Sequence, residues 1–461
     1  MQASVQSFFA SLKGKKIALC GIGISNTPLI YKFLDYGAQV TACDRRDRVL
    51  LGAAADELEA AGAALSLGEG YLDNLDAEII FRTPGMNYNL PELKSARSRG
   101  VIVTSEMEVF FDLCPATLIA VTGSDGKTTT TTLISEMLKA QGKRVFLGGN
   151  IGRPLLPEIE KMRPGDYAAV ELSSFQLISM RRSPQVAVIT NIAPNHLDVH
   201  RDMDEYVDAK KNIILHQNAF SRAVLNADNP LTRSLADQTR GQTLLFSRLR
   251  PLEAGAYLDG DSVMMALQGR AEKVMERGDI RLPGVHNLEN YLAAITAVWG
   301  YAEIPAIKKV AREFAGVPHR IEYVRTVGGV KYYNDSIATS PTRTIAGLGA
   351  FDQRLIVIAG GYDKRIPFEP LAGPVCEKVK LLILTGATSG KIEAAVKSHP
   401  AYDPLVTRIV YAQDLPDAVR IAHETAIDGD IVTLSPACAS FDKYKNFEAR
   451  GSHFKELVAA L

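Results

Sequence analysis

Val121-Thr122-Gly123-Ser124-Asp125-Gly126-Lys127-Thr128-Thr129-Thr130 decides the fold class of this chain. It follows the apolar run Thr117-Leu118-Ile119-Ala120-Val121 and leads into the amphipathic stretch TTTLISEMLKAQG, so a strand, a Gly-x-x-Gly-Lys-Thr turn and a helix stand in line. Such a turn presents backbone N–H groups at a helix start, where the positive end of the helix dipole favours an anion. A lysine directly after the second glycine reaches the outer phosphates of a nucleotide, and the following threonine offers its hydroxyl to Mg²⁺. Strict Walker spacing needs glycine at 121, where Val121 stands, so this is a variant phosphate loop.

The same grammar recurs on both sides of it. KIALCG, EIIFRTPG, AAVELSS, VAVITN, RLIVIAGG, LLILTG and IVTLSP are short apolar runs that lead into Gly, Ser, Thr or Asn. They mark buried parallel strands feeding ligand-facing loops, with amphipathic crossover helices between them, and the fold class is α/β. At roughly 150 residues per domain, a chain of 461 residues makes about three. Leu113-Cys114-Pro115-Ala116 precedes a fresh strand and Phe314-Ala315-Gly316-Val317-Pro318 follows a helical stretch. The expected domains are therefore 1–115, Rossmann-like; 116–315, P-loop ATPase-like with a parallel sheet; and 316–461, again Rossmann-like α/β.

Composition removes several classes of function. Lys and Arg together number 52 and Asp and Glu 52, so no net field attracts polyanions, the basic footprint of a general nucleic-acid binder is missing, and anionic ligands need local sites. Residues Met1 to Lys16 lack the zones of a signal peptide, and no apolar run approaches the roughly 20 residues that cross a bilayer. The expectation is a soluble cytoplasmic protein, monomeric by default. Cys20, Cys43, Cys114, Cys376 and Cys438 form no CxxC pair, which reads as five small buried hydrophobes rather than a disulfide or thiolate-metal framework.

In the first domain, strand Lys16 to Cys20, the turn Gly21-Ile22-Gly23-Ile24-Ser25-Asn26, a helix and strand Gln39 to Ala42 ending at Asp44 outline a nucleotide-binding βαβ unit. The fingerprint wants a third glycine where Asn26 stands. Asp44 is placed to accept from a ribose or base, and Arg45 and Arg46 suit a uracil or phosphate. The loop Thr83-Pro84-Gly85-Met86 ends a second strand on the same crevice. A purely structural βαβ turn and an NAD-dependent oxidoreductase are the alternatives, but nothing else supplies a hydride-transfer site.

In the central domain, Glu171 ends the run AAVELSS, and a lone carboxylate at the end of a buried strand is costly unless paired or metal-bound; a Mg²⁺ ligand is favoured over a helix N-terminal acid. The loop Asn191-Ile192-Ala193-Pro194-Asn195-His196-Leu197-Asp198 ends another strand, which makes His196 a metal candidate rather than a plain core or surface histidine. Lys210, in Tyr206-Val207-Asp208-Ala209-Lys210-Lys211, reads from its own neighbourhood as an exposed helix lysine.

Gly123 to Thr129, Gly149-Asn150-Ile151-Gly152, Glu171-Leu172-Ser173-Ser174-Phe175-Gln176, the Asn191 to Asp198 loop and His286-Asn287-Leu288-Glu289-Asn290 occur here in the order found in the Mur ligases, and the chain resembles that family along essentially its full length. The family forms amide bonds at the expense of ATP in peptidoglycan precursor synthesis. The resemblance implies ATP and two Mg²⁺ ions. It places Gly123, Ser124, Asp125, Gly126, Lys127, Thr128, Thr129, Asn290, Arg320 and Asp335 at the nucleotide. It makes Thr128, Glu171, His196 and a carbamylated Lys210 the metal ligands, and Lys127, Glu171, His196, Lys210 and Arg320 the catalytic set. Ile24, Ser25, Asp44, Arg45, Gly85, Asn150 and His196 go to a UDP-linked substrate. Folylpolyglutamate synthases share the phosphate loop and general plan.

The third domain carries the choice of substrate. Gly316-Val317-Pro318-His319-Arg320-Ile321-Glu322 opens it, with Arg320 suited to phosphate and an interdomain salt bridge as the alternative. Tyr333-Asn334-Asp335-Ser336 follows a short strand, and the family commonly has Lys where Ile337 then stands, a cation that Lys364 or Arg343 could partly replace. The segment Leu434 to Gly451, LSPACASFDKYKNFEARG, resembles the D-glutamate-adding branch. That likeness implies D-glutamate and UDP-N-acetylmuramoyl-L-alanine as substrates, with Thr339, Lys364, Ser440, the Phe441 N–H and Phe447 around the amino acid. Another ligase of the family, or a non-catalytic UDP-sugar sensor, is the rival reading.

Overall fold

In the computed structural model, residues 4–23, 25–73, 75–194, 200–282, 284–363 and 366–461 are described. Among them the strands form three sheets. The first comprises β1 (Lys16–Cys20), β2 (Gln39–Asp44), β3 (Ala64–Leu67), β4 (Ile79–Arg82) and β5 (Ile102–Thr104), in the order β3-β2-β1-β4-β5 and parallel throughout. Such a sheet is doubly wound, and its crevice opens where the order reverses, beyond the C-terminal ends of β1 and β4. Gly21 sits there at φ +98, and a Cβ on it would stand 2.8 Å from Thr83 Cγ2, so only glycine lets the two loops meet.

The second sheet holds β6 (Thr117–Thr122), β7 (Val145–Gly149), β8 (Tyr167–Glu171), β9 (Val186–Ile189), β10 (Arg222–Asn226), β11 (Gln242–Ser247), β12 (Gly255–Asp259), β13 (Ser262–Leu267) and β14 (Arg270–Glu276). Their order is β14-β13-β12-β11-β10-β9-β6-β8-β7. All neighbours are parallel except β12-β13 and β13-β14. β13 and β14 are joined by Gln268-Gly269, both with positive φ, the backbone a two-residue hairpin turn needs. β6 lies between β8 and β9, so the phosphate loop leaves the sheet at its own switch point.

The third sheet orders β15 (Glu322–Val327), β16 (Val330–Asn334), β17 (Leu355–Ala359), β18 (Val379–Leu384), β19 (Arg408–Tyr411) and β20 (Ile431–Leu434) as β15-β16-β20-β17-β18-β19, with β15 alone antiparallel. β17 and β20 are buried at every residue, as strands covered by helices on both faces must be. The eight apolar runs singled out in the sequence all form strands.

The first two sheets belong to one compact unit, residues 1–280 with 285–313, and the third to another, 281–284 with 314–461. The first unit has a core that runs from Phe9, Leu12 and Phe33 beside the first sheet to Leu155, Leu156 and Ile159 beside the second. Glu160 accepts from both Lys32 and Tyr36 across that junction. Arg82, 1 % exposed, donates to the Phe175 carbonyl and to Ser179 Oγ. All five cysteines are buried and unpaired. Among the described residues, no helix is long and apolar enough to cross a membrane.

Candidate active site

The phosphate loop is shaped from outside itself. Gly123 and Gly126 have φ of +152 and +75. A Cβ on Gly123 would lie 1.9 Å from Thr190 Oγ1, and one on Gly126 2.2 Å from Asn290 Oδ1. The loop after β9 closes on it: Asn191 Oδ1 accepts from the Asp125 N–H at 2.9 Å, Thr190 Oγ1 donates to the Asp125 carbonyl at 2.6 Å, and the Ser124 hydroxyl exchanges bonds with the Ala193 main chain. Helix Lys127–Ala140 follows at once, and its run of threonines is tolerated because Thr131 and Thr132 return their hydroxyls to the carbonyls one turn back. Thr128 and Thr129 lie buried on its first turn. Lys127 Nζ donates to the carbonyls of Gly123 and Ser124, at 2.9 and 2.8 Å, so the ammonium lies over the loop that it is expected to serve.

Glu171 ends β8 beside this loop and is 2 % exposed. Its Oε1 accepts from Asn150 Nδ2 at 2.8 Å, while Oε2 is buried with no hydrogen-bond partner. A carboxylate oxygen left so is expensive unless a cation takes it. Asn150, expected at the UDP-linked substrate, here orients Glu171.

Lys210 corrects its reading as an exposed helix lysine. It lies 2 % exposed in helix Met203–Leu215, donates from Nζ to the Gly123 carbonyl at 2.8 Å and sits 4.6 Å from the centre of the Tyr206 ring. Burial, reinforced by the charge of Lys127, pushes its amine down to about 7. Asn290 stands behind the loop, 5 % exposed, accepting from Thr130 Oγ1 and donating to Asn287. His196, with Asp198, lies outside the described residues. Among the described residues no three His, Cys, Asp or Glu side chains stand together as a metal cluster.

In the first crevice Asp44 closes the glycine turn: Oδ2 accepts from the Ile22 N–H at 2.7 Å, and both carboxylate oxygens accept from the Arg46 guanidinium. Arg46 also donates to the Ile22 carbonyl, and both Arg45 and Arg46 are exposed. Between these two arginines only the fold shows which pairs with Asp44. Asn26 replaces the third glycine by donating to the Cys20 carbonyl at 3.0 Å, with its Oδ1 buried and unpartnered. Ser25 is half-buried and Gly85 exposed on the turn after β4, while Ile24 lies outside the described residues.

In the second unit, His319 and Ile321 flank Arg320 with positive φ of 65 and 44, an uncommon pair for non-glycine residues. Asn334 and the Glu322 carboxylate hold that turn, and Gly451 leaves the space for the His319 ring. Arg320 itself is exposed. Asp335, directly after β16, is 4 % exposed and accepts from Ser435 Oγ at 2.8 Å and from the Ile321 N–H at 3.3 Å. Burial pushes its carboxyl up to about 7.

The loops after β17 and β20 are joined: the Gly360 N–H donates to the Pro436 carbonyl and the Tyr362 N–H to that of Ala439. Ser440 is 2 % exposed there, Phe441 is 65 % exposed and meets Tyr362 edge-on, and Phe447 is half-buried against His319. Thr339 is half-buried beyond Asp335, and Lys364 lies outside the described residues. A residue that motif reading gave no role, Arg450, is buried with its guanidinium donating to Ser336 Oγ and to the carbonyls of Ser336, Cys438 and Ala439. It ties the turn after β16 to the loop that carries Ser440.

Comparison with known proteins places this arrangement. Residues 121–298 match the Mur ligase middle domain, and residues 319–438 match the Mur ligase, glutamate ligase domain. Two relatives bear the name UDP-N-acetylmuramoylalanine--D-glutamate ligase. That of Acetivibrio thermocellus is 51 % identical over 464 residues and that of Clostridium botulinum strain 657 is 49 % identical over 462, each match covering 100 % of both chains. Among solved structures, UDP-N-acetylmuramate-alanine ligase MurC of Thermotoga maritima superimposes with a TM-score of 0.57 at 20 % identity, covering 97 % of this chain and 99 % of that one. A pseudomurein peptide ligase type C of Methanothermus fervidus gives 0.54 at 19 %, covering 97 % and 100 %, and both share the fold.

Proposed function

This chain belongs to the Mur ligase family, and from that premise we propose that it joins D-glutamate to UDP-N-acetylmuramoyl-L-alanine, with ATP cleaved to ADP and phosphate, in the cytoplasmic stage of peptidoglycan precursor synthesis. The observation that carries this reading is the 51 % identity to a D-glutamate ligase over the whole of both chains. That match spans the segment from Leu434 to Gly451, in which the amino-acid-binding residues are expected.

In the first step a carboxylate oxygen of the L-alanyl group attacks the γ-phosphorus of ATP; the bond to the bridging oxygen breaks, and ADP leaves an acyl phosphate. In the second, the free amine of D-glutamate attacks the acyl carbon, the tetrahedral adduct expels phosphate, and one proton leaves the nitrogen. Two anions meet in the first step, so positioning and charge neutralisation do most of the work. The turn from Gly123 to Gly126 cradles the phosphates, and Lys127 exchanges its two loop carbonyls for phosphate oxygens. Asn290 and the loop after β9 keep that cradle open before ATP arrives.

Mg²⁺ fits this site, since Glu171 keeps one buried oxygen without a partner. Thr128 and Glu171 would hold one ion, and His196 with a carbamate on Lys210 a second. Bound metal supplies positive charge to the phosphoryl oxygens. An amine pushed down to about 7 has a sizeable neutral fraction near neutral pH, the form that adds CO₂ to give a carbamate and a proton. Arg320, Asp335 and Asn290 complete the nucleotide set. Ile24, Ser25, Asp44, Arg45, Gly85, Asn150 and His196 face the UDP-linked substrate, with Arg46 added as the partner of Asp44. Ser440, the Phe441 N–H, Thr339 and Lys364 hold the D-glutamate carboxylates, which need donors on two sides, and Phe447 packs beside them.

Lys127→Ala separates the parts of this reading. ATP-dependent phosphate release should vanish while binding of the UDP precursor, followed by calorimetry, stays close to wild type; unchanged turnover would remove the phosphate loop from the mechanism. Lys210→Ala should lose activity and regain part of it with a short carboxylic acid added, and full activity without rescue would refute the carbamate.

A further inference from the structure

The turn Asn334-Asp335-Ser336-Ile337 carries no cation of its own, and Ile337 is a half-buried aliphatic residue. A cation stands there nonetheless. Arg343, from the first turn of helix Pro341–Leu348, donates its NH1 to the Ile337 carbonyl at 3.3 Å. Its charge reaches the Asp335 carboxyl, as does that of Arg320.

The placement is unfavourable for the helix alone. A cation in a first turn opposes the positive end of the helix dipole, and no acidic residue shares that turn to offset it. The side chain is also held at both ends. Thr344, next in sequence, is buried, and its hydroxyl accepts from the Ala437 N–H at 3.0 Å and lies 3.1 Å from Ser435 Oγ. The helix start is thereby fixed to the loop that runs from β20 to Ser440, and the exposed guanidinium is steadied at its head by the Ile337 carbonyl.

Resting on the ligase reading above, we propose that Arg343 supplies the positive charge of this turn, and that it binds the anionic oxygens of a substrate at the crevice between the β16 and β20 loops. The ligand chemistry is a carboxylate of D-glutamate or a transferring phosphoryl group. Arginine's planar fork receives either through two parallel hydrogen bonds, where a lysine gives only a point charge.

The test is steady-state phosphate release by wild type, R343A, R343Q, R343K, I337K and the R343A/I337K double variant, with each substrate varied in turn. D-glutamate-dependent release by wild type, measured first, settles the ligase reading independently. Removing the charge in R343A and R343Q should raise the KM of one anionic substrate by about tenfold or more, as loss of a charge-assisted hydrogen bond does. A rise confined to D-glutamate identifies a carboxylate; a rise confined to ATP, or a fall in kcat alone, identifies the phosphoryl group. The double variant should recover to within about threefold of wild type, because Ile337→Lys returns a cation to the same turn. The proposal is overturned if R343Q matches wild type in kcat and in every KM, or if neither R343K nor the double variant exceeds R343Q.

Discussion

Asp44 and Asp335 are both buried aspartates at the C-terminal end of a parallel strand, one closing β2 and the other following β16, yet they are held in opposite states. Burial alone pushes each carboxyl up. At Asp44 the Arg46 guanidinium and the N–H groups of Arg46 and Ile22 outweigh that cost and keep it below the ordinary carboxylate range. At Asp335 the contacts are a hydroxyl and one N–H, with Arg320 and Arg343 acting only through their charge, and its carboxyl stays near 7. The contrast separates two jobs. A carboxylate with its cation in place anchors a loop, whereas one left short of charge is costly unless a ligand supplies it.

Asp335→Asn should give the largest effect. It keeps the shape and removes the charge, so kcat for phosphate release should fall by about a hundredfold or more, as when a preorganised charged group is lost from an active site. A variant within threefold of wild type would make Asp335 a mere packing residue. Asp44→Asn should act on binding: the KM of the UDP precursor should rise about tenfold while that of ATP holds, since the anchor of the Ile22 turn loses its ion pair. If both KM values rose together, the first crevice would not be a separate site. Arg46→Met should do less, roughly threefold on the same KM, because half of that side chain is already in water and an exposed partner contributes little.

Smallest of all is a difference in pH response. Asp335 has a folded value near 7 against an ordinary 3.8, so its contribution is fully present below pH 3.8 and is lost as pH rises through 7. Urea unfolding should show Asp335→Asn gaining about 1–2 kcal/mol over wild type at pH 8 and nothing at pH 4. Asp44 runs the other way: its contribution is present above 3.8 and is lost as pH falls below that value. Asp44→Asn should therefore destabilise at pH 7 and converge on wild type in acid. The same sign of response in both variants would erase the distinction.

Much of this was legible in the sequence, and what was not has a physical reason in each case. The phosphate loop could be read because strand, glycine turn and helix coincide within a dozen residues, and the eight buried strands because both their faces are apolar. Lys210 could not, since a helix lysine flanked by Asp208 and Lys211 looks solvated; its burial comes from the loop after β6, far away in the chain. Arg450 gave no signal because its partners are main-chain carbonyls, which carry no sequence identity. The antiparallel pair β13 and β14 escaped because β14, RAEKVME, is mostly exposed and charged. Arg343 was visible only as a possible substitute, and its bond to Ile337 gives that idea a place.

The most direct test of the account is phosphate release with ATP, Mg²⁺ and UDP-N-acetylmuramoyl-L-alanine across a panel of D- and L-amino acids. Release that depends on D-glutamate, with L-glutamate and the diamino acids inactive, is the expected result. Release with a different amino acid, or none with any, would contradict it.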